Sequence, residues 1–237
     1  MYVILIEVWH RVCPSRCVQL LLTKTCAFLA VQGLCGSCWA HGVTEALSDR
    51  YCTMANITTS LSAHDVAFCC KGCGSGCSGG DPEKALKYLN NTGAFTSTCL
   101  PYDQGDHRSH HPWPQPKGTD VCPAKCEDAE VLAATRHKGT TPYNVPLNRT
   151  AIMLELMVNG PSGNQMTVYS DFGVYKSGVY YTECGKPAPL GKKCQAWGHA
   201  VKILGWGHDM VNITVRLLAS LGPQLWPCRG LPKTKAS

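Results

Sequence analysis

The sequence predicts an α+β chain of two unlike subdomains, one helical and one rich in strands. Three observations predict it. Apolar residues recur at helical spacing through the first half, as in Ala40, Val43, Ala46 and Leu47. Beyond Gly160-Pro161 the pattern turns to short strand-like runs. The length, 237 residues, supports one large domain or two small ones around a cleft. Hydrophobic content of 44% and charged content of 16% read as globular. The net charge of +6 is scattered, with no basic stripe, which argues against nucleic-acid binding. Val18 to Val31 is apolar but short and interrupted by Lys24, so no membrane span is expected.

The elements follow in order. Residues 1–31 read as an irregular N-terminal segment. Arg11 and Arg16 before the apolar run also fit a poor signal-peptide core, but an irregular insertion is the preferred reading. A helix is expected from about Ser37, and a second from the Ser60–Ser62 cap into Val66-Ala67-Phe68. Residues 69–80, rich in Cys and Gly, read as a stapled loop. Pro82 to Leu89 reads as a third helix, with Pro in its first turn. Residues 99–126 hold five Pro and read as a long surface loop. Asn148 to Asn159 reads as a helix with an apolar stripe of Ile152, Leu154, Leu156 and Met157. Gln165–Tyr169, Gly178–Tyr181 and Ala200–Leu204 read as strands.

Sixteen cysteines suggest disulfides and an oxidising compartment. Zinc is the competing reading, since Cys70-Lys-Gly-Cys73 is a CxxC. No second pair follows at zinc-finger spacing, so no metal is expected. Sequons at Asn56, Asn90, Asn148 and Asn212 fit a secretory route.

The strongest motif is Gln32-Gly-Leu-Cys35-Gly-Ser-Cys38-Trp-Ala40. A thiolate attacks, not a thiol, and a helix N-terminus favours an anion. Cys38 is placed there. A bare CxxC leaves both cysteines open to disulfide pairing, but CGSCW is a signature specific to a nucleophile family. The segment resembles the active-site segment of the papain family of cysteine peptidases. The resemblance implies a papain-like two-subdomain fold, helical left and β-rich right, with the active site in the cleft between. It implies Cys35 in a disulfide, Cys38 as nucleophile and Gln32 as an oxyanion donor beside the Cys38 N–H. The family's base lies in a small-residue context before a strand. Trp197-Gly198-His199-Ala200-Val201-Lys202-Ile203-Leu204-Gly205-Trp206-Gly207 fits, making His199 the base. Gly198 is carried over as substrate-binding. His199 lies 161 residues beyond Cys38, more than the usual ~130–150. Residues 99–126 supply the excess.

Asp49-Arg50, Cys69-Cys70, Cys77-Ser-Gly-Gly-Asp-Pro82 and Tyr169-Ser-Asp-Phe172 resemble the cathepsin B branch. That resemblance implies an occluding loop whose adjacent histidines bind a substrate's C-terminal carboxylate. His110 and His111 match it, against the bland reading of a solvated pair. It also implies Gly79 and Gly80 as a backbone edge for substrate. The disulfides it implies are Cys13–Cys52, Cys35–Cys77, Cys69–Cys122, Cys70–Cys73 and Cys99–Cys126, with Cys184–Cys194 a candidate sixth. Cys17, Cys26 and Cys228 have no assigned partner. Peptide or protein substrates, cystatin-like inhibitors, no cofactor, and a lysosomal or extracellular setting complete the implication.

The departures are as informative. The family's Asn that orients the imidazole falls at Ser220, a shorter side chain. The tail from Pro223 does not resemble the family's end, and the peptidase domain, 32–237, reads as truncated there. A slow or destabilised enzyme is therefore expected. A non-catalytic papain-like binding module is the alternative. A zinc protein using His107, His110, His111 and Cys122 ranks last.

Overall fold

The structure is a computed structural model. It describes residues 4–6, 26, 28, 30–33, 35–102, 122–126, 135–175, 179–180, 182, 195–209 and 212–218. For 4–6, 174, 179, 207–209 and 212–218 only the backbone is considered.

Helix α1 runs Cys38–Ala55 and ends on Asn56 in the left-handed region (φ 54°), whose N–H returns to Cys52 and Tyr51 carbonyls. Helix α2, Pro82–Asn91, starts on an Asp81 cap that accepts from the Glu83 and Lys84 N–H groups. Helix α3, Arg149–Asn159, starts on Asn148, which accepts from the Ala151 N–H. The expected helix after Ser62 is short and more loosely wound than an α-helix. It gives way to a π-helical turn over Asp65–Cys69.

Strands β1 (Ile4–Ile6), β2 (Ser162–Tyr169), β3 (Val179–Tyr180), β4 (Ala196–Asp209) and β5 (Asn212–Leu218) form one sheet, ordered β2-β4-β5-β1-β3. Strand β1 pairs parallel with β5 and antiparallel with β3. A strand in the first ten residues was not legible, since three apolar residues carry no period.

Two cores result. The helical core gathers Trp39, Val43, Val66, Ala67, Ala85, Leu89 and Ala94, and reaches Ala200 of β4. The other packs Leu156, Met166, Val168, Phe172, Val201, Ile203 and Trp206 between α3 and the sheet. The stripe expected on α3 is corrected. Leu154 and Met157 are exposed, whereas Ile152, Met153 and Leu156 pack inward. Residues 152, 153 and 156 are one helical face; 154 and 157 are not.

Where the subdomains meet, α1 crosses β4 at close range. A Cβ on Gly42 would stand 3.3 Å from the Val201 nitrogen. Strand residues alternate between faces, so Ala200 and Lys202 share one face of β4. Lys202 is fully buried. Its Nζ lies 2.7 Å from Asp49 Oδ2 and 3.8 Å from Glu45 Oε2, and donates to the Phe28 carbonyl.

The same acids hold the incoming chain. The Phe28 N–H donates to Asp49 and the Ala30 N–H to Glu45. The segment thus climbs α1 in reverse, 28 beside 49 and 30 beside 45. Each two extended residues advance about 6.6 Å, close to four helical residues at about 6 Å. Extrapolated one step, this pace brings residue 26 beside residue 53, next to Cys52. The disulfide formed is Cys26–Cys52. That corrects the expected Cys13–Cys52 pair; Cys13 lies outside the described residues. Cys35–Cys77, Cys69–Cys122, Cys70–Cys73 and Cys99–Cys126 are formed. Cys17, Cys184, Cys194 and Cys228 lie outside the described residues.

Candidate active site

Cys38 opens α1 and is fully buried. The preceding chain turns sharply. The Gly36 N–H donates to the Cys77 carbonyl and the Ser37 N–H to Cys35, so the Cys35–Cys77 disulfide pins the entry to the helix. The first-turn N–H groups of a helix lack intrahelical acceptors and favour negative charge. Across the subdomain boundary, the Ala200 N–H donates to Cys38 Sγ at 3.3 Å. That donor is the residue after His199.

Cys38 is oxidised in this structure. Its sulfur is disulfide-bonded. A thiolate is available only after that bond is reduced.

His199 sits on β4 opposite Met166 of β2. It is buried, and burial pushes its imidazole from 6.5 down to about 4. Neither ring nitrogen has a hydrogen-bond partner among the described residues. Buried polar groups without partners are rare and call for a reason.

Gln32 is buried beside the motif. Its amide donates to the Cys35 carbonyl at 3.1 Å, and its Oε1 has no partner among the described residues. One amide hydrogen is thus engaged, and the amide carries a second.

Gly79 and Gly80 are both buried. Gly80 bridges Gly74, and a Cβ on Gly80 would come 2.3 Å from the Trp39 ring. This is a packing reason for glycine at that position. Gly198 pairs with Thr167 in the sheet. His110, His111 and Ser220 lie outside the described residues, as does His107. The zinc reading loses Cys122, which is bonded to Cys69.

Sequence reasoning missed Cys26, Tyr102, His41 and Lys202. Lys202 left a signal, a cation inside the apolar run Ala200–Leu204 facing Glu45 and Asp49 on α1. His41, Ser37 and Tyr102 left none, because the contact joins residues 65 positions apart.

The papain family cysteine protease model matches residues 23–227. The chain belongs to the papain family of cysteine proteases. Its fold is papain-like. The helical part carries the Cys38 motif, the sheet carries His199, and α1 meets β4 between them. Cathepsin B-like protease 1 of Arabidopsis thaliana is 39% identical over 211 residues, covering 88% of this chain and 54% of that protein. Cathepsin B-like cysteine proteinase 4 of Caenorhabditis elegans is 38% identical over 197 residues, covering 75% and 56%. Among solved structures, proCathepsin B S9 from Trypanosoma congolense matches with a TM-score of 0.62 at 29% identity. That match covers 82% of this chain and 67% of that one. The chain spans about half the length of the curated relatives it matches. No helix among the described residues is long and apolar enough to cross a membrane.

Proposed function

We propose that the reduced chain hydrolyses peptide bonds as a cathepsin B-like cysteine peptidase. The observation that carries this reading is Cys38 at the N-terminus of α1, hydrogen-bonded through Sγ to the residue after His199. His199 takes the thiol proton and holds it as imidazolium opposite the thiolate. Sulfur attacks the scissile carbonyl, and its oxygen becomes an oxyanion. Gln32 and the Cys38 N–H stabilise that charge. His199 then returns the proton to the leaving amine, and water resolves the acyl-enzyme. Ser220 is the candidate to orient the imidazole, and Gly79, Gly80 and Gly198 to line the cleft. His110 and His111 would add removal of C-terminal dipeptides by binding the terminal carboxylate. The substrates are peptides or proteins and the inhibitors cystatin-like. The setting is lysosomal or extracellular.

The test is turnover of a dipeptidyl-arginine fluorogenic substrate after mild thiol reduction, with an epoxide probe on Cys38. Labelling that disappears in Cys38→Ala is expected. Reduction should also raise the His199 pKa above its oxidised value of about 4, because a thiolate favours the imidazolium. A second reading, a papain-like binding module, is favoured by the oxidised, fully buried Cys38. Folded, reduced protein that neither labels nor turns over substrate decides for it.

A further inference from the structure

We infer that Tyr102 is a positioning residue that holds Gln32 and the Cys38 end of α1 in register, through a hydrogen-bonded chain with Ser37 and His41. The inference rests on the peptidase reading above and adds residues to its machinery.

Four groups meet within 3.2 Å of one another in sequence along the chain. The Tyr102 hydroxyl lies 2.6 Å from Ser37 Oγ and donates to the Gln32 carbonyl at 3.1 Å. Ser37 Oγ lies 3.2 Å from His41 Nδ1, which also lies 3.1 Å from the Ser37 carbonyl. The edge of one ring faces the other, His41 to Tyr102, at 4.4 Å.

Donor counting fixes the direction of every bond. The Gln32 carbonyl only accepts, so it takes the single Tyr102 proton. The Tyr102 oxygen then accepts from the Ser37 hydroxyl. Ser37 Oγ, its proton spent, accepts from His41. Since the Ser37 carbonyl also only accepts, the His41 proton is on Nδ1. One arrangement satisfies the chain: His41 to Ser37 to Tyr102 to Gln32. Burial keeps His41 neutral, lowering its pKa to about 4 against the opposing pull of the Ser37 carbonyl. Burial likewise raises that of Tyr102, partly offset by the Ser37 bond. The chain therefore stays uncharged where a peptidase works. Hydrogen bonds aligned this way polarise and strengthen one another.

Its two ends matter. Ser37 immediately precedes Cys38, whose N–H is one oxyanion donor. Gln32 carries the other. Tyr102 bridges them from a third segment, so it fixes the spacing between donors without touching substrate.

The test uses the full chain after mild thiol reduction. Tyr102→Phe removes one oxygen and keeps the ring. Its kcat is expected to fall about tenfold, with KM within twofold. Its Cys38 alkylation rate by iodoacetamide should be unchanged, because ionising the thiol does not use the oxyanion donors. Ser37→Ala should reproduce this split, and carries the test if Tyr102→Phe does not fold. The double variant should be no slower than the slower single one, since both cut one chain. Wild-type kcat in both variants overturns the inference, as does additive loss or an equal fall in alkylation. A reduced wild-type chain without turnover overturns the peptidase reading and this inference with it. Turnover by wild type with unaffected variants overturns this inference alone.

Discussion

Helix α1 carries two buried polar clusters of opposite character. At its first turn, Ser37 and His41 join Tyr102 and Gln32 through neutral groups. Two turns on, Glu45 and Asp49 meet Lys202, all charged in solution and all sealed from it. The neutral cluster spends each proton once and leaves His41 Nε2 without a partner among the described residues. The ionic cluster concentrates charge where Coulomb terms are large and desolvation is costly. The difference assigns the two ends of one helix different work. Weak directional bonds between neutral groups hold the start of the helix against Gln32 and Tyr102. Strong, less directional charges lock a helix, a strand and the incoming segment 28–30 together.

The largest expected break comes from Lys202→Met, which leaves Glu45 and Asp49 buried without a cation. Removing one partner of a buried pair costs about 3–5 kcal/mol. Urea unfolding at pH 7.5 should show that loss. Burial already raises the Asp49 pKa, against the pull of Lys202, and removing the cation raises it further. The variant should therefore regain stability on acidification, as Asp49 takes a proton. A loss below about 1 kcal/mol would mean the acids are hydrated and the contrast between clusters is wrong.

Acid should strike the histidines instead. His41 and His199 are both held near 4 by burial, below 6.5. Between those values the unfolded chain binds more protons than the folded one. Their stabilising share is complete above pH 6.5 and is lost as pH falls toward 4. With Cys38 oxidised, each loss is on the order of 3 kcal/mol. His41→Phe should remove about half of this slope in a pH series of thermal melts. An unchanged slope would show that His41 is already protonated in the fold.

A smaller effect separates the two acids. Glu45→Gln should cost about 1 kcal/mol, because its Lys202 contact is the longer one and its bond from the Ala30 N–H survives. Asp49→Asn should cost more, measured in the same urea titration. Equal costs would make the cluster a symmetric triad.

The sequence was readable where one local string carried both structure and chemistry. The motif from Gln32 to Ala40 announces a helix start and a disulfide together, beside the cysteine proposed as nucleophile. Pro82 announces a helix start by its place in the first turn, and the Asn148–Asn159 helix was readable from its apolar residues. What stayed hidden depends on tertiary approach. Nothing local distinguishes Cys26 from Cys13 as the partner of Cys52, because the choice follows from how Phe28 and Ala30 are held along α1. Three apolar residues, Ile4–Ile6, become a strand only because β5 and β3 offer edges. Leu154 and Met157 looked like core and are solvent-facing, since apolarity without phase does not choose a face.

Gly42 has a consequence for how this site tolerates change. The missing methyl there lets α1 approach the Val201 backbone, and the sulfur one turn earlier reaches Ala200 by the same approach. Residue 42 is thus a gauge block for the subdomain gap. A series of Ala, Ser and Val at that position would widen the gap in graded steps. The reactivity of Cys38 would then read out, substitution by substitution, how much clearance the chemistry permits.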